Sequence, residues 1–150
     1  MMEQTDILQE FEIIPVKRRE LLPRWIKVFC WIFMFTGAVA VFCLIIGLLG
    51  YPASLAMYGF ETNAPLSLIG LLIIAVDIFK GITAIALWFE KDYAITLGKL
   101  DAIVGIGLCV MSMVLPLFIE NFHSSVIRLE LVFLIPYLIK LNKMEAQWTQ

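Results

Sequence analysis

The sequence predicts an all-α membrane protein, a four-transmembrane-helix antiparallel bundle with both termini cytoplasmic. Three observations lead there. Of the 150 residues, 61% are hydrophobic, against about 45–50% in a soluble domain, so the chain carries more apolar surface than a core of this size can hide. Four stretches are long and apolar enough to cross a hydrocarbon layer of about 30 Å, which takes roughly 20 helical residues. Lys and Arg are concentrated in the segments that would all lie on one side, the asymmetry that orients membrane proteins. Charged residues make up only 16%, where about 25% is ordinary, and this excludes a cytosolic globular enzyme. A net charge of -2 provides no overall basic field for nucleic acid.

The elements follow in order. Residues 1–24 form a cytoplasmic N-terminal segment that ends in a basic juxtamembrane cluster, VKRRELLPRWIK. The segment lacks the basic n-region and short apolar stretch of a cleaved signal peptide, so the first helix is expected to stay. The cluster serves as a topology signal, with a grip on anionic lipid as the competing role. The transmembrane domain covers 25–141, with spans at about 25–50, 65–89, 93–119 and 124–141. The first span has no charge between Val28 and Gly50. The outer segment YPASLAMYGFETNA is expected to be a plain connector, or a short interfacial helix between Pro52 and Gly59. Pro136 removes a backbone donor and predicts a kink in the fourth span. Residues 142–150 form a short cytoplasmic tail.

Lys17, Arg18, Arg19, Arg24, Lys27, Lys91, Lys140 and Lys143 all fall at the inner side of this scheme, and the connections 51–64 and 120–123 hold no Lys or Arg. Trp25, Tyr51, Tyr58, Trp88, Tyr93 and Tyr137 lie near span boundaries, where amphipathic rings settle.

The candidate chemistry is sparse. Cys30, Cys43 and Cys109 lie within spans at unrelated spacing and read as small apolar residues rather than a redox or disulfide set. His123 with Glu120 offers too few ligands for zinc, and a single His rules out two-histidine haem ligation within one chain. Phosphate loops, zinc motifs and activated nucleophiles are absent from the sequence. The expectation is a protein that is not an enzyme and holds no cofactor or metal.

Six ionisable residues within the spans are the informative feature: Asp77, Lys80, Lys99, Asp101, Arg128 and Glu130. They are balanced, three acids against three bases. Charges in hydrocarbon face the bundle interior, pair or line water. At 1.5 Å of rise per residue from inner boundaries at Glu90, Asp92 and Lys140, Lys80 lies about 15 Å deep, Asp101 about 13 Å, Glu130 about 15 Å, Arg128 about 18 Å and Asp77 about 20 Å. Lys99, at about 10 Å, is shallow enough for its stem to snorkel to the cytoplasmic face.

Spacing agrees with depth. Asp77, Lys80, Gly81, Ala84 and Trp88 share one side of the second span. In the third, Gly98, Asp101, Gly105, Cys109 and Ser112 make a stripe of small and polar residues, suited to close helix packing. Lys80 is therefore the expected hub, between Asp77 one turn away and Asp101 or Glu130 across an interface, with Arg128 reaching Asp77. Such a network either fixes helix register or serves as a proton relay or substrate site.

Residues 81–106, GITAIALWFEKDYAITLGKLDAIVGI, resemble the inner hairpin of small bacterial four-helix membrane proteins of unknown function. In those, a helix ending in Leu-Trp passes through a tight charged turn into an aromatic-Ala start. Leu87-Trp88, Glu90-Lys91-Asp92 and Tyr93-Ala94 stand in those places. The resemblance implies the hairpin topology and a bacterial inner (plasma) membrane, and brings no activity. The chain differs from small multidrug transporters, whose first helix bears a buried carboxylate. The expected function is that of a non-catalytic accessory or assembly protein. Its partners are then the lipid bilayer, with itself or another membrane protein as the further partner class. An oligomeric proton-coupled or small-solute transporter using the intramembrane carboxylates is the alternative.

Overall fold

The computed structural model describes residues 18–118 and 129–148, and among these the chain forms helices and one small hairpin. The elements are α1 (Arg18–Leu21), α2 (Arg24–Leu48), β1 (Leu55–Met57), β2 (Phe60–Thr62), α3 (Leu68–Trp88), α4 (Ala94–Phe118) and α5 (Leu129–Trp148). Among the described residues, α2, α3 and α4 are each long and apolar enough to cross a membrane, which marks a multi-pass membrane protein. Large apolar side chains such as Trp31, Phe35, Phe42 and Val110 stand exposed on their outer faces, as helices bathed in lipid require.

Local chemistry sets the element ends. Pro23 disfavours helical geometry at the residue before it, so α1 stops after one turn and α2 restarts at Arg24. Two αL residues close helices in the same way. At the end of α2, Gly50 (φ +83°) lets Gly50 N–H donate to Gly47 O at 3.0 Å and Tyr51 N–H to Ile46 O at 3.2 Å. At the end of α3, Glu90 holds φ 57°, with Lys91 N–H donating to Ala86 O at 3.0 Å. Ser67 caps α3 by accepting from Gly70 N–H at 3.1 Å.

The connection 51–64, expected on the outer side, is neither a plain connector nor an interfacial helix. It is an antiparallel hairpin pairing Leu55 with Thr62 and Met57 with Phe60. Tyr58 and Gly59 between them hold φ 49° and 85°, the signature of a two-residue type I′ turn. A non-glycine residue is uncommon at such a φ. Tyr58 is held there by its ring, which is only 4% exposed and packs into the bundle beside Cys109 and Leu134.

α2 packs chiefly on α3, α3 on α4, and α4 on α5. One end of the bundle gathers α1, the α3–α4 turn and the C-terminal end of α5. There Arg18 pairs with Asp92, Arg19 lies 4.7 Å over the Trp88 ring, and the Trp148 indole N–H donates to Lys91 O at 2.9 Å. A core of Leu22, Ile26, Leu87, Ile95, Leu141 and Trp148 fills this end.

One sequence-based boundary shifts. Residues 142–148 are not a tail but the last turns of α5, with Met144 and Trp148 fully enclosed. α5 itself carries Glu130, Lys140, Lys143 and Glu145, and as described it is not among the helices apolar enough to cross a membrane. The last residue of the expected third span, the expected outer loop at 120–123, the first residues of the expected fourth span and Arg128 lie outside the described residues.

Candidate functional site

The close approach of α2 and α3 builds one wall of the site. A Cβ on Gly37 would stand 2.9 Å from Gly81 Cα and 3.2 Å from Asp77 O. Phe33, one turn before Gly37, and Lys80, next to Gly81, are thereby brought to one interface.

α4 supplies the opposite wall. A Cβ on Gly98 would meet Leu141 Cδ1 at 2.7 Å and Tyr137 Oη at 3.1 Å. One on Gly105 would meet Tyr58 Oη at 2.7 Å and Leu134 Cδ1 at 3.1 Å. Each glycine thus accommodates a tyrosine hydroxyl and a leucine methyl. Asp101 lies between them, three residues from one and four from the other, hence on the same face. Cys109 continues that face, fully buried.

Between the walls, Lys80 Nζ donates to Asp101 Oδ1 at 3.1 Å and Oδ2 at 3.0 Å. The two side chains are 2% and 1% exposed. The ammonium also stands 4.7 Å from the Phe33 ring centroid and 5.3 Å from that of Tyr58, within cation–π range. Four elements, α2, the hairpin, α3 and α4, therefore converge on one charge. Burial first, and the Asp101 charge second, push the Tyr58 phenol above its ordinary value, so Tyr58 stays neutral.

The other predicted charges are placed differently. Asp77 sits half-buried one turn before Lys80 and has no ion pair among the described residues. Lys99 reaches Glu145, near the end of α5, at 2.5 Å rather than the buried pair. Glu130, in the first turn of α5, is exposed and not bonded to Lys80.

The depth count erred for Glu130 because it began at Lys140. Trp148 is the residue level with the α3–α4 turn, so α5 lies eight residues, about 12 Å, further out than that count assumes. Thr83, one turn after Lys80 and 1% exposed, has a hydroxyl with no partner among the described residues.

Glu130 and Lys80 nonetheless share a cavity of about 140 Å³ whose walls include Phe29, Phe33, Tyr58 and Phe133. Most of its walls come from α2 and α5, along whose seam the Phe29 and Phe133 rings meet at 5.6 Å. A second recess on that seam is lined by Trp25, Phe29, Val132, Phe133 and Pro136. Among the described residues no group of three His, Cys, Asp or Glu side chains is placed to hold a metal.

The partners of Lys80 that sequence reasoning missed are Phe33 and Tyr58. The signal for Phe33 was its four-residue spacing from Gly37; for Tyr58 it was the Tyr-Gly pair, a weak hairpin-turn sign. No protein-family model matches this chain, and neither a curated protein nor a solved structure matches it.

Proposed function

We propose that this is a small non-catalytic membrane protein of the bacterial inner membrane, an accessory or assembly component. It crosses four times with both termini cytoplasmic, and the Lys80–Asp101 pair locks the register of its helices. α5 belongs to the fourth crossing. What carries the reading is the closure of the pair: both carboxylate oxygens are engaged, both partners are enclosed, and two aromatic rings cover the ammonium. A site that moves protons or solutes needs a group free to exchange with water, and these groups are occupied. Basic residues gathered at the end holding α1, the α3–α4 turn and the C-terminal end of α5 support cytoplasmic termini.

One observation favours the transporter alternative: Lys80 and Glu130 line a common cavity. Replacing Asp77, Asp101 and Glu130 singly by Asn or Gln separates the readings. A structural lock predicts that D101N inserts poorly or unfolds readily, while D77N and E130Q accumulate normally and no variant changes proton flux in vesicles. Normal insertion of all three with lost proton-linked flux would establish transport instead. A reporter fused after Gln150 is expected in the cytoplasm, and its appearance on the other side would overturn the topology.

A further inference from the structure

The seam between α2 and α5 combines an apolar recess with an unpaired basic end. Trp25, Phe29 and Phe33 recur every four residues on α2 and line it from one side. On α5, Phe133, Pro136, Lys140 and Lys143 follow spacings of three, four and three, so the apolar wall and two lysines lie along one helix face. Lys140 is half-buried and Lys143 exposed, and neither has an acidic partner within ion-pair distance among the described residues. Of the other cations at this end of the bundle, Arg18 is committed to Asp92, Arg19 to Trp88 and Lys99 to Glu145.

We propose that this seam binds an anionic phospholipid. An acyl chain lies along Pro136 and Phe133 into the cavity beside Phe29, and the headgroup phosphate rests on Lys140 and Lys143. The inference rests on the proposed placement of α5 in the membrane. Three features select this occupant. A cavity of about 140 Å³ is of the size that admits a benzene-sized apolar group. Phe133 and Pro136 on the seam are exposed on the helix surface, where acyl chains are the surrounding medium. The two lysines stand toward the inner end of α5, where the cytoplasmic leaflet presents anionic headgroups. A soluble phosphate would satisfy the lysines and leave the recess empty.

The test is native mass spectrometry of the full chain in mild detergent, titrated with phosphatidylglycerol or with phosphatidylcholine of the same acyl chains. Phosphatidylglycerol is expected to be retained preferentially. K140Q/K143Q is expected to weaken it roughly 30-fold, from the contribution of two lysines near a charged surface. R24Q, which removes one cation that is not on that α5 face, should weaken it no more than roughly fivefold, the most that a single basic residue near the surface contributes. F133W, which fills the recess, should weaken both lipids alike, and glycerol phosphate should not compete. Equal retention of the two lipids, or K140Q/K143Q binding like the parent, overturns the lipid site. The reporter fused after Gln150, read on the same chain, keeps the two claims apart. If it is cytoplasmic and lipid preference is missing, only the lipid site fails; if it is on the far side, the placement of α5 fails.

Discussion

Gly37 on α2 and Gly81 on α3 meet backbone to backbone: a Cβ built on Gly37 would stand 2.9 Å from Gly81 Cα, too close to fit without a shift, and one on Gly81 would press at 3.1 Å on Gly37 Cα. This approach positions everything else at the site, because Phe33 and Lys80 reach one another from either side of it. Gly107 on α4 offers the contrast, since nothing lies within 4 Å of a Cβ there. G81V is therefore expected to lower stability by on the order of 1–3 kcal/mol through overpacking against backbone that cannot yield. G107A should be neutral or stabilise by up to about 1 kcal/mol, the helix preference of Ala over Gly. Thermal unfolding in mild detergent compares them, and equal midpoints would remove the Gly37–Gly81 contact from the account.

Tyr58 tolerates an unfavourable backbone angle for the sake of its buried ring. Y58F keeps the ring over Lys80 and should cost no more than about 1 kcal/mol, the worth of one ordinary hydrogen bond. Y58A removes the ring from between Cys109, Leu134 and Lys80 and should cost about 3–5 kcal/mol, as for other buried aromatic residues. The same unfolding measurement decides it. A Y58A protein as stable as the parent would mean that the hairpin does not close the site.

Trp148 ties α5 to the α3–α4 turn. W148F, which loses the donation to Lys91 O and leaves part of the enclosed indole's space unfilled, is expected to cost about 1–3 kcal/mol. Ending the chain after Leu141 removes Met144 and Trp148 from the core and should abolish accumulation of folded protein, read by fluorescence-detected size exclusion. A plain tail would be dispensable, so a shortened chain that folds normally contradicts this packing.

Much of this was legible from residue order, and the parts that were not have identifiable causes. Long apolar runs show α2, α3 and α4 directly, because a helix in lipid needs no partner to satisfy its backbone. Lys80 and Asp101 were traceable because both sit one fixed rise from the same short turn, so counting residues measures their depth. Glu130 was misplaced because its helix is anchored by a tryptophan beyond the last lysine, and charge alone marks no anchor. The spacing of Tyr137, Leu141, Met144 and Trp148 carried that information as a helical face. The hairpin was hidden because Tyr58 adopts its backbone angle only with tertiary support, which local sequence preference does not encode.

The central claim, that Lys80 and Asp101 form a structural lock, is tested most directly by a double-mutant cycle on stability in mild detergent. K80M and D101L each strand one buried charge, and each is expected to lose about 3–5 kcal/mol. K80M/D101L leaves neither charge and should return to within about 1 kcal/mol of the parent, since replacing both partners of a buried pair is often neutral. Single variants as stable as the parent, or a double variant whose loss equals the sum of the two, would contradict the account.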